Sequence, residues 1–500
     1  MPPQLRRLFS FPAFLGACLV LAAFANTSTP DLAAGKLFAE GDTWWHLVTG
    51  ERILSAGAWP ATDSYSFTVR GSPWIANEWL GEVAMAAALR LGGLRGLAVL
   101  LVILAASLTL LLYYYAWLCS GNAKAAAAAC AVGLPLAGVF FTPRPQLLGY
   151  IFLLVTLICL EQFRRRGGRW LWLLPPVFLL WANVHGSFLM GLFALGLYGV
   201  CGLRSFQSGQ VAAAAWTPGQ RLRMLLTILL CLLALLATPY GTRLASYPVE
   251  LLVQHPHLTS LITEWQPLSF STSYGLWFLG FMLIVFLAQV LFPVVYRLEI
   301  LAFFLFTMLE SCLHVRFLIF FVMAFTPILA QVLARWTPPY EPQKDHPWVN
   351  AVLIGVVLAV VVAFIPSRRR LNEAVGEKYP VGAVEYLRQH PVPAGLFNEE
   401  TWGGFLIWSL GPEHRVFVDG RAEIYDDAGV MVDCVRIKNL EGDPLLLLQK
   451  YGIKACLLHQ GVPLDTLLAT SPEWQRVYQD NISAIFARKQ QNGAPKIEAR

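Results

Sequence analysis

The stretch Glu40-Gly41-Asp42-Thr43-Trp44-Trp45-His46 lies shortly after the first long apolar run of the chain. Carboxylates, indoles and an imidazole therefore occupy neighbouring positions beside a predicted membrane surface. Tryptophan is common there because its ring is apolar and its N–H is polar, but ionisable groups near lipid are costly and indicate function. We interpret Asp42 as a catalytic base that faces a lipid-borne substrate, with Glu40 and His46 as further catalytic candidates. The alternative for Asp42 is a helix cap, since aspartate commonly caps helices.

The composition around this stretch is that of a membrane protein. Hydrophobic residues make up 56% of the 500-residue chain and charged residues 14%, and the mean hydropathy is +0.55. Apolar runs of about 20 residues, long enough to cross a bilayer core of about 30 Å, recur along the first three-quarters of the chain. They predict eleven membrane helices, at residues 9–28, 97–118, 124–141, 147–163, 170–184, 187–203, 224–238, 274–292, 298–313, 317–334 and 349–366. The predicted fold class is a polytopic α-helical membrane protein with a C-terminal soluble α/β domain.

The chain divides into four predicted segments. These are an N-terminal anchor helix (1–29), a first outer loop that carries the acidic stretch (30–96), a multi-helix membrane body (97–366) and a soluble α/β domain (367–500). Within the outer loop we expect a helix at 42–54 that lies on the membrane, with Trp44 and Trp45 as interfacial anchors. A short strand at 64–69 and a second helix that runs on to Leu91 should follow.

The distribution of Lys and Arg predicts the orientation. If the N-terminus is cytoplasmic, the short outer loops hold only Arg144, Arg243 and Arg316, and most other cations fall inside, as the positive-inside rule requires. An odd number of spans then places the C-terminal domain in the periplasm of a bacterial inner membrane. The arginines at 368–370 oppose this placement, because the positive-inside rule favours them on the cytoplasmic side. One helix more or fewer would move the domain to that side. The net charge of +6 therefore mainly reflects the orientation of the helices in the membrane. No basic, aromatic-interleaved patch indicates nucleic acid as a partner.

Polar residues of the membrane body gather on the same predicted outer side. Arginine suits a phosphate group because its planar fork makes bidentate contacts. The candidate substrate- or phosphate-binding residues are Glu78, Arg144, Gln146, Asn183, His185, Glu264, His314 and Arg316. Each has a structural alternative: a residue that meets lipid phosphate, a hydrogen bond between helices, or a solvated helix face. A channel or pump should also carry charge at mid-depth, and the sequence shows little.

The predicted location of these residues limits the substrate. Nucleotide sugars and ATP are cytoplasmic, so an outward-facing enzyme would draw its donor from the membrane, and a sugar on a polyprenyl phosphate fits. Glycosyl transfer needs a carboxylate to take the proton from the acceptor hydroxyl. It also needs cations or hydrogen-bond donors for the charge that develops on the leaving phosphate. Asp42 supplies the first requirement, and Arg144, Arg316 and His185 supply the second. The acceptor is a glycan, lipid or protein.

The order of an acidic motif after span one, many helices and a C-terminal domain resembles the GT-C superfamily of integral-membrane glycosyltransferases, in particular a bacterial branch of it. The blocks that carry this resemblance are GDTWWHL (41–47), WIANEWLGE (74–82), RPQ (144–146), WANVHGS (181–187), TPYG (238–241), EWQP (264–267) and WGGFLIW…VFVDGR (402–421). The resemblance implies Asp42 as the base, a lipid-phosphate-linked donor and an inverting transfer. The spacing of Glu40 and Asp42 departs from the adjacent acidic pair of many members. It is closer to metal-using oligosaccharyl transferases, which leaves open Mg²⁺ or Mn²⁺ at these two carboxylates.

The C-terminal segment has the pattern of an α/β domain with a mixed sheet. Helices are predicted at 380–389 and 444–451 and strands at 394–397, 415–418, 453–458, 475–478 and 484–487. Trp402, Asp419 and Arg421 follow strand ends, where sites often form, so we expect them at a lip over the membrane site. The alternative is tight turns and a buried Asp–Arg pair. Cys434 and Cys456 are either free thiols or a disulfide.

The sequence therefore favours an outward-facing glycosyltransferase over two alternatives. One is a transporter or flippase for lipid-linked glycans, which should show internal repeats and broken helices near mid-membrane. The other is a non-catalytic subunit of an envelope assembly. No GxGxxG motif or Walker loop indicates a nucleotide cofactor.

Overall fold

The computed structural model describes residues 2–28, 37–38, 40–254, 262–291, 295–391, 395–411 and 414–489. The chain forms two compact units. The first contains residues 1–39, 49–59 and 75–371, and the second contains residues 40–48, 60–74 and 372–500. The acidic stretch is thus grouped with the C-terminal domain, whereas the sequence analysis had assigned it to a membrane-surface loop.

The first unit holds the membrane helices. Within the described residues, six helices are long and apolar enough to cross a membrane, or up to seven if a bent pair at residues 347–378 counts as one span. The six are Gln4–Thr27, Trp79–Ser120, Ala123–Phe140, Gln146–Arg166, Ser273–Leu291 and Val315–Leu333.

The predicted count of eleven spans is not confirmed. The other four predicted spans do form helices, but of only 9 to 17 residues: Leu174–Ala182, Phe188–Cys201, Pro218–Ala234 and Leu298–Leu313. Their apolar runs are interrupted or end early, since Asn183 closes the first of them. A hydropathy window reports the apolar run and not the length of the helix inside it.

The longest helix, Trp79–Ser120, contains a kink. Gly93 has a φ of +61°, a left-handed value that residues with a Cβ rarely adopt, so the chain bends there. The residues before it correspond to the second helix predicted in the outer loop, and those after it to the predicted span at 97–118. The helix ends at Gly121, again in the left-handed region.

The remaining elements of the first unit are short. Three small strands form a sheet in which Val211–Ala213 pairs antiparallel with Phe206–Ser208 and parallel with Tyr296–Arg297. The helix at Pro218 begins with a capping box, in which Thr217 and Gln220 each bond the other's backbone. The other helices are Pro3–Leu8, Phe11–Ser28, Thr242–Gln254, Leu318–Leu333 and Pro347–Ala363. Asp42–Ala56 and Arg368–Lys378 each begin in one unit and end in the other.

The second unit is the predicted α/β domain. Its mixed sheet has Leu396–Asn398 parallel to Ala455–His459, followed by Ser483–Arg488 and then Trp474–Gln479, both antiparallel to their neighbours. The predicted strand at 394–397 begins outside the described residues. Its helices are Val381–Gln389, Glu400–Leu410, Ala422–Asp426, Val430–Asn439, Pro444–Lys450 and Pro463–Thr470.

Two predicted strands of this unit do not form. Residues 64–69 and 415–418 are extended only locally and share a single bridge, between Ser66 and Val416. This bridge nevertheless joins the two segments, because Phe67 donates its N–H to the Val416 carbonyl and Val416 donates to Tyr65. Both Cys434 and Cys456 are buried free thiols, so the predicted alternative of a disulfide is wrong.

Candidate active site

Four of the sequence blocks meet in the first unit. Trp79 donates its indole N–H to Asn183 Oδ1 at 2.8 Å, and the Leu80 N–H bonds the Asn183 carbonyl at 3.0 Å. Gly81 lies directly against Pro145, where a Cβ would be 2.5 Å from the proline ring. The Tyr240 hydroxyl receives the Ala76 N–H at 3.1 Å. The blocks WIANEWLGE, RPQ, WANVHGS and TPYG are therefore parts of one structure, although they are far apart in the chain.

A cavity of about 200 Å³ opens among these blocks. Its polar lining comes from carboxylate, imidazole, hydroxyl and guanidinium groups. Its apolar lining comes from the helices Phe188–Cys201, Thr242–Gln254 and Leu318–Leu333 and from Trp265 and Phe317. The lining residues are Asn77, Glu78, Tyr150, His185, Gly186, Ser187, Leu189, Met190, Tyr247, Pro248, Leu251, Trp265, Arg316, Phe317 and Phe320. Three predicted site residues, Glu78, His185 and Arg316, thus line one cavity.

The hydrogen bonds of His185 show which ring nitrogen carries the proton. Its Nδ1 accepts the Ser187 backbone N–H at 3.0 Å, so the neutral ring must carry its proton on Nε2. Nε2 lies 3.3 Å from Glu78 Oε1. The pair is largely buried, and the carboxylate orients the imidazole as a donor toward the cavity wall.

The two predicted arginines, Arg144 and Arg316, differ in the side chains that their guanidinium groups contact. Arg144 pairs with Glu264 at 2.7 Å, and its charge lowers the pKa of that carboxyl below the ordinary value. Arg316 instead stacks over the Trp265 ring at 4.2 Å. Among the residues that the structure describes, Arg316 forms no ion pair, so its charge is available to an anion in the cavity.

The remaining predicted residues of this group have structural partners. Asn183 uses its amide for the Trp79 indole and for the carbonyls of Leu179 and Ala237. His314 Nδ1 lies 2.8 Å from the Trp265 carbonyl and holds that ring in place. Gln146 is buried at the first turn of its helix and does not line the cavity. Asn183 and His314 therefore position neighbours of the cavity.

The acidic stretch packs against two glycines of the second unit. Asp42 Oδ1 accepts the Trp45 indole N–H at 3.1 Å and rests against the Cα of Gly420, where any Cβ would overlap it. Gly404 is likewise in contact with the Gly41 carbonyl, so a side chain there would push the stretch away. The WGG and DGR sequences of the C-terminal domain thus form the seat of Asp42.

The two tryptophans of the stretch are core residues, and their prediction as interfacial anchors is wrong. Trp44 is fully buried and packs at 4.6 to 5.3 Å between ring centroids against Tyr379, Phe405 and Trp408. Trp45 is buried beside His46, with ring centroids 3.7 Å apart. Both therefore fix the backbone that carries Asp42.

Arg421 is the centre of a buried ionic network. Its guanidinium binds both oxygens of Asp419 at 2.8 and 2.6 Å and Asp63 at 2.8 Å. It also lies between the rings of Tyr65 and Trp74, at 4.8 and 4.6 Å from their centroids. The network ties residues 60–74 to the turn that presents Gly420.

The predicted lip residues are therefore interior residues. Trp402, Asp419 and Arg421 are each at most 1% exposed, which corrects their placement at an open edge. Trp402 stacks on His459 at 3.7 Å and donates its indole N–H to the Lys378 carbonyl.

The sequence analysis missed Glu400, which opens the helix Glu400–Leu410. Burial, reinforced by the negative charge of Asp42, raises its pKa to about 7. Asp419 adds to the increase and Lys438 opposes it. Perturbed carboxyls cluster at functional sites, so Glu400 joins Asp42 as an acid–base candidate. The sequence around Glu400 gave no signal of this, because Asp42, whose charge helps to raise the pKa, comes from a distant part of the chain.

The other two catalytic candidates are less open. The Glu40 carbonyl accepts the Tyr379 hydroxyl at 3.3 Å, and the residue is half-buried. His46 is 2% exposed. Among the described residues, no three His, Cys, Asp or Glu side chains are grouped as metal ligands would be, and the predicted Mg²⁺ or Mn²⁺ at Glu40 and Asp42 stays a prediction.

Comparison with solved structures defines the class of fold. The oligosaccharyltransferase of Archaeoglobus fulgidus, solved with a tethered acceptor peptide, matches 91% of this chain and 70% of its own at a TM-score of 0.53 and 10% identity. Both it and the following neighbour have the GT-C fold, and this chain therefore has that fold. It is a multi-pass membrane architecture with a sheet-containing C-terminal region.

The second neighbour resembles this chain over nearly its whole length. ArnT from Cupriavidus metallidurans, solved with undecaprenyl phosphate, matches 96% of this chain and 98% of its own at a TM-score of 0.51 and 14% identity. No protein-family model and no curated sequence matches the chain. The likeness is one of fold, and the chemistry must be argued from the residues.

Proposed function

We propose that the protein is a membrane glycosyltransferase that takes a sugar from a polyprenyl-phosphate carrier at the outer leaflet of a bacterial inner membrane. One observation carries this proposal: Arg316, which forms no ion pair among the described residues, lines one cavity with His185 in a chain with the GT-C fold. A cation stabilises the charge that develops on a leaving phosphate. The undecaprenyl phosphate of the ArnT structure supports the same class of donor.

The reaction divides the residues by role. Arg316 binds the phosphate, His185 joins it when its Nε2–H turns from Glu78 to the phosphate, and Arg144 adds positive charge that Glu264 partly offsets. The role of base is assigned to Asp42 from the sequence motif alone: the base takes the proton from the acceptor hydroxyl as that oxygen forms its bond to the anomeric carbon and the bond to phosphate breaks. A direct displacement of this kind inverts the anomeric centre.

The test is release of polyprenyl phosphate by the purified, full-length protein with a panel of polyprenyl-phosphate sugars and of glycan, lipid and peptide acceptors. Arg316→Gln should lower kcat by about 100-fold, the usual scale for losing one group that stabilises developing charge. Arg243→Gln is the matched control, since Arg243 is exposed and does not line the cavity. If no donor in the panel is consumed while vesicles containing the protein move the lipid across the bilayer, the flippase alternative replaces this proposal.

The raised pKa of Glu400 predicts that the stability of the fold depends on pH. Its folded pKa of about 7 lies above the ordinary value of 4.5, so folding is favoured by this group below about pH 4.5 and loses that contribution as pH rises through 7. Glu400→Gln stays neutral and should melt at a higher temperature than the wild type at pH 8, with no difference at pH 4. The exposed Glu441→Gln serves as control. Equal melting temperatures of Glu400→Gln and wild type at pH 8 would contradict the raised pKa.

A further inference from the structure

The first unit contains a second and larger cavity, of about 960 Å³. It lies between the N-terminal helices, the last turns of the helix Trp79–Ser120 and the segment 340–358. Glu78, which lines the first cavity, precedes the first residue of that same helix. The two cavities therefore lie toward opposite ends of the helix Trp79–Ser120.

The mouth of the larger cavity is basic. Arg6 and Arg7 line it from the short helix Pro3–Leu8, and both side chains are exposed. Neither arginine forms an ion pair with any residue in the described part of the chain. The nearby carboxylate of Asp345 is already engaged, because it accepts the Phe11 N–H at 3.0 Å and the Tyr340 hydroxyl at 2.6 Å. With two arginines and one carboxylate among these three side chains, their net charge is positive.

The deeper wall is apolar and includes several small residues. Tyr113 and Trp117 stack at 6.0 Å on one side, and Gly16 lies close to Leu110, which a Cβ there would approach to 3.2 Å. The apolar lining consists of Pro12, Ala13, Gly16, Ala17, Val20, Leu110, Pro347, Trp348 and Leu358. A basic mouth over an apolar, aromatic-flanked groove matches an anionic head group with a hydrocarbon chain.

We propose that this groove binds one anionic glycerophospholipid, with its phosphate at Arg6 and Arg7 and an acyl chain along Ala13 and Ala17. Basic pockets between membrane helices on the cytoplasmic side hold such head groups, and the charge rule predicts that Arg6 and Arg7 lie on that side. A zwitterionic lipid, which has no net charge, would not neutralise the excess positive charge. The proposal is independent of sugar transfer, because the site and its occupant lie at the other end of the helix from the candidate active site.

Native mass spectrometry of the full-length protein in detergent tests this directly, with phosphatidylglycerol, phosphatidylcholine and undecaprenyl phosphate added in turn. Wild-type protein should retain one phosphatidylglycerol selectively, and the double variant R6Q/R7Q should retain it about 10- to 30-fold more weakly. Ala17→Phe, which fills the apolar wall and keeps both charges, should lose it as well. R204Q/R223Q removes the same charge from residues that do not line the groove and should bind like the wild type.

Three results would overturn the proposal. The first is equal retention of phosphatidylglycerol by wild type and R6Q/R7Q. The second is an equal loss in R204Q/R223Q, which would indicate general attraction to basic loops. The third is preferential retention of undecaprenyl phosphate, which would assign the groove to a different lipid. Because R6Q/R7Q changes only exposed side chains, loss of fold does not obscure the comparison.

Discussion

Asp42→Asn is expected to lower sugar transfer by more than about 100-fold without unfolding the protein. Loss of a general base costs roughly 10²- to 10⁴-fold in rate, because the acceptor hydroxyl then has no group to take its proton. Asparagine has the same shape, and its Oδ1 can still accept the Trp45 indole N–H and rest against Gly420. The measurement is kcat for release of polyprenyl phosphate, with melting temperature as the check on fold.

A second variant tests the same carboxylate through its position. In Gly420→Ala the new methyl group overlaps Asp42 Oδ1, so the carboxylate must move although its charge is kept. We expect a loss of rate in this variant too, since a displacement of about 1 Å at a reacting group is enough to cost about 100-fold. Gly376→Ala is the matched control, because a Cβ there meets no atom within 4 Å.

The pattern across these variants decides the assignment. If Asp42→Asn keeps activity within a few-fold of wild type, Asp42 is a helix-start residue and not the base. Glu40→Gln then becomes the variant to compare, since Glu40 is the other carboxylate of the stretch. If Asp42→Asn is inactive and also melts early, Gly420→Ala and Gly376→Ala separate loss of the base from loss of the domain.

The membrane class and the blocks that build the cavity were predictable from the sequence. Apolar runs identify helices without knowledge of their partners, and polar groups such as His185 and Arg316 stand out against such a background. The lengths of the helices were not predictable, because their ends depend on turns such as that at Asn183. The buried role of Trp44 was also hidden, since an interfacial tryptophan and a core tryptophan have the same sequence signal.

Glu400 shows why part of the site lay beyond sequence reasoning. A carboxyl at the start of a helix is common, and only the approach of Asp42 from the distant N-terminal part gives it a raised pKa. Asp63 likewise has its partner in a distant segment, because Arg421 comes from the C-terminal domain. Pairings of this kind depend on which segments share a unit. Here residues 40–48 and 60–74 are grouped with the domain and not with the membrane body.

Arg421→Ala is expected to lower the free energy of unfolding of the second unit by about 3–5 kcal/mol. The substitution leaves Asp63 and Asp419 buried without their cation, and an uncompensated buried charge is far more costly than the loss of the ion pair itself. Both carboxylates lie within 2.8 Å of the guanidinium and all three side chains are fully buried. Thermal unfolding of the full-length protein, followed by tryptophan fluorescence, should show an early transition in the variant.

The cost should come from the stranded carboxylates, and two further variants show whether it does. Arg488→Ala breaks an exposed pair with Glu473 and should cost less than about 1 kcal/mol, as surface ion pairs do. Asp63→Asn combined with Arg421→Met removes one buried charge along with the cation and should recover part of the loss. If Arg421→Ala melts like Arg488→Ala, the network does not hold residues 60–74 to the domain. The seat of Asp42 at Gly420 would then need another support, because Arg421 is the next residue along the turn.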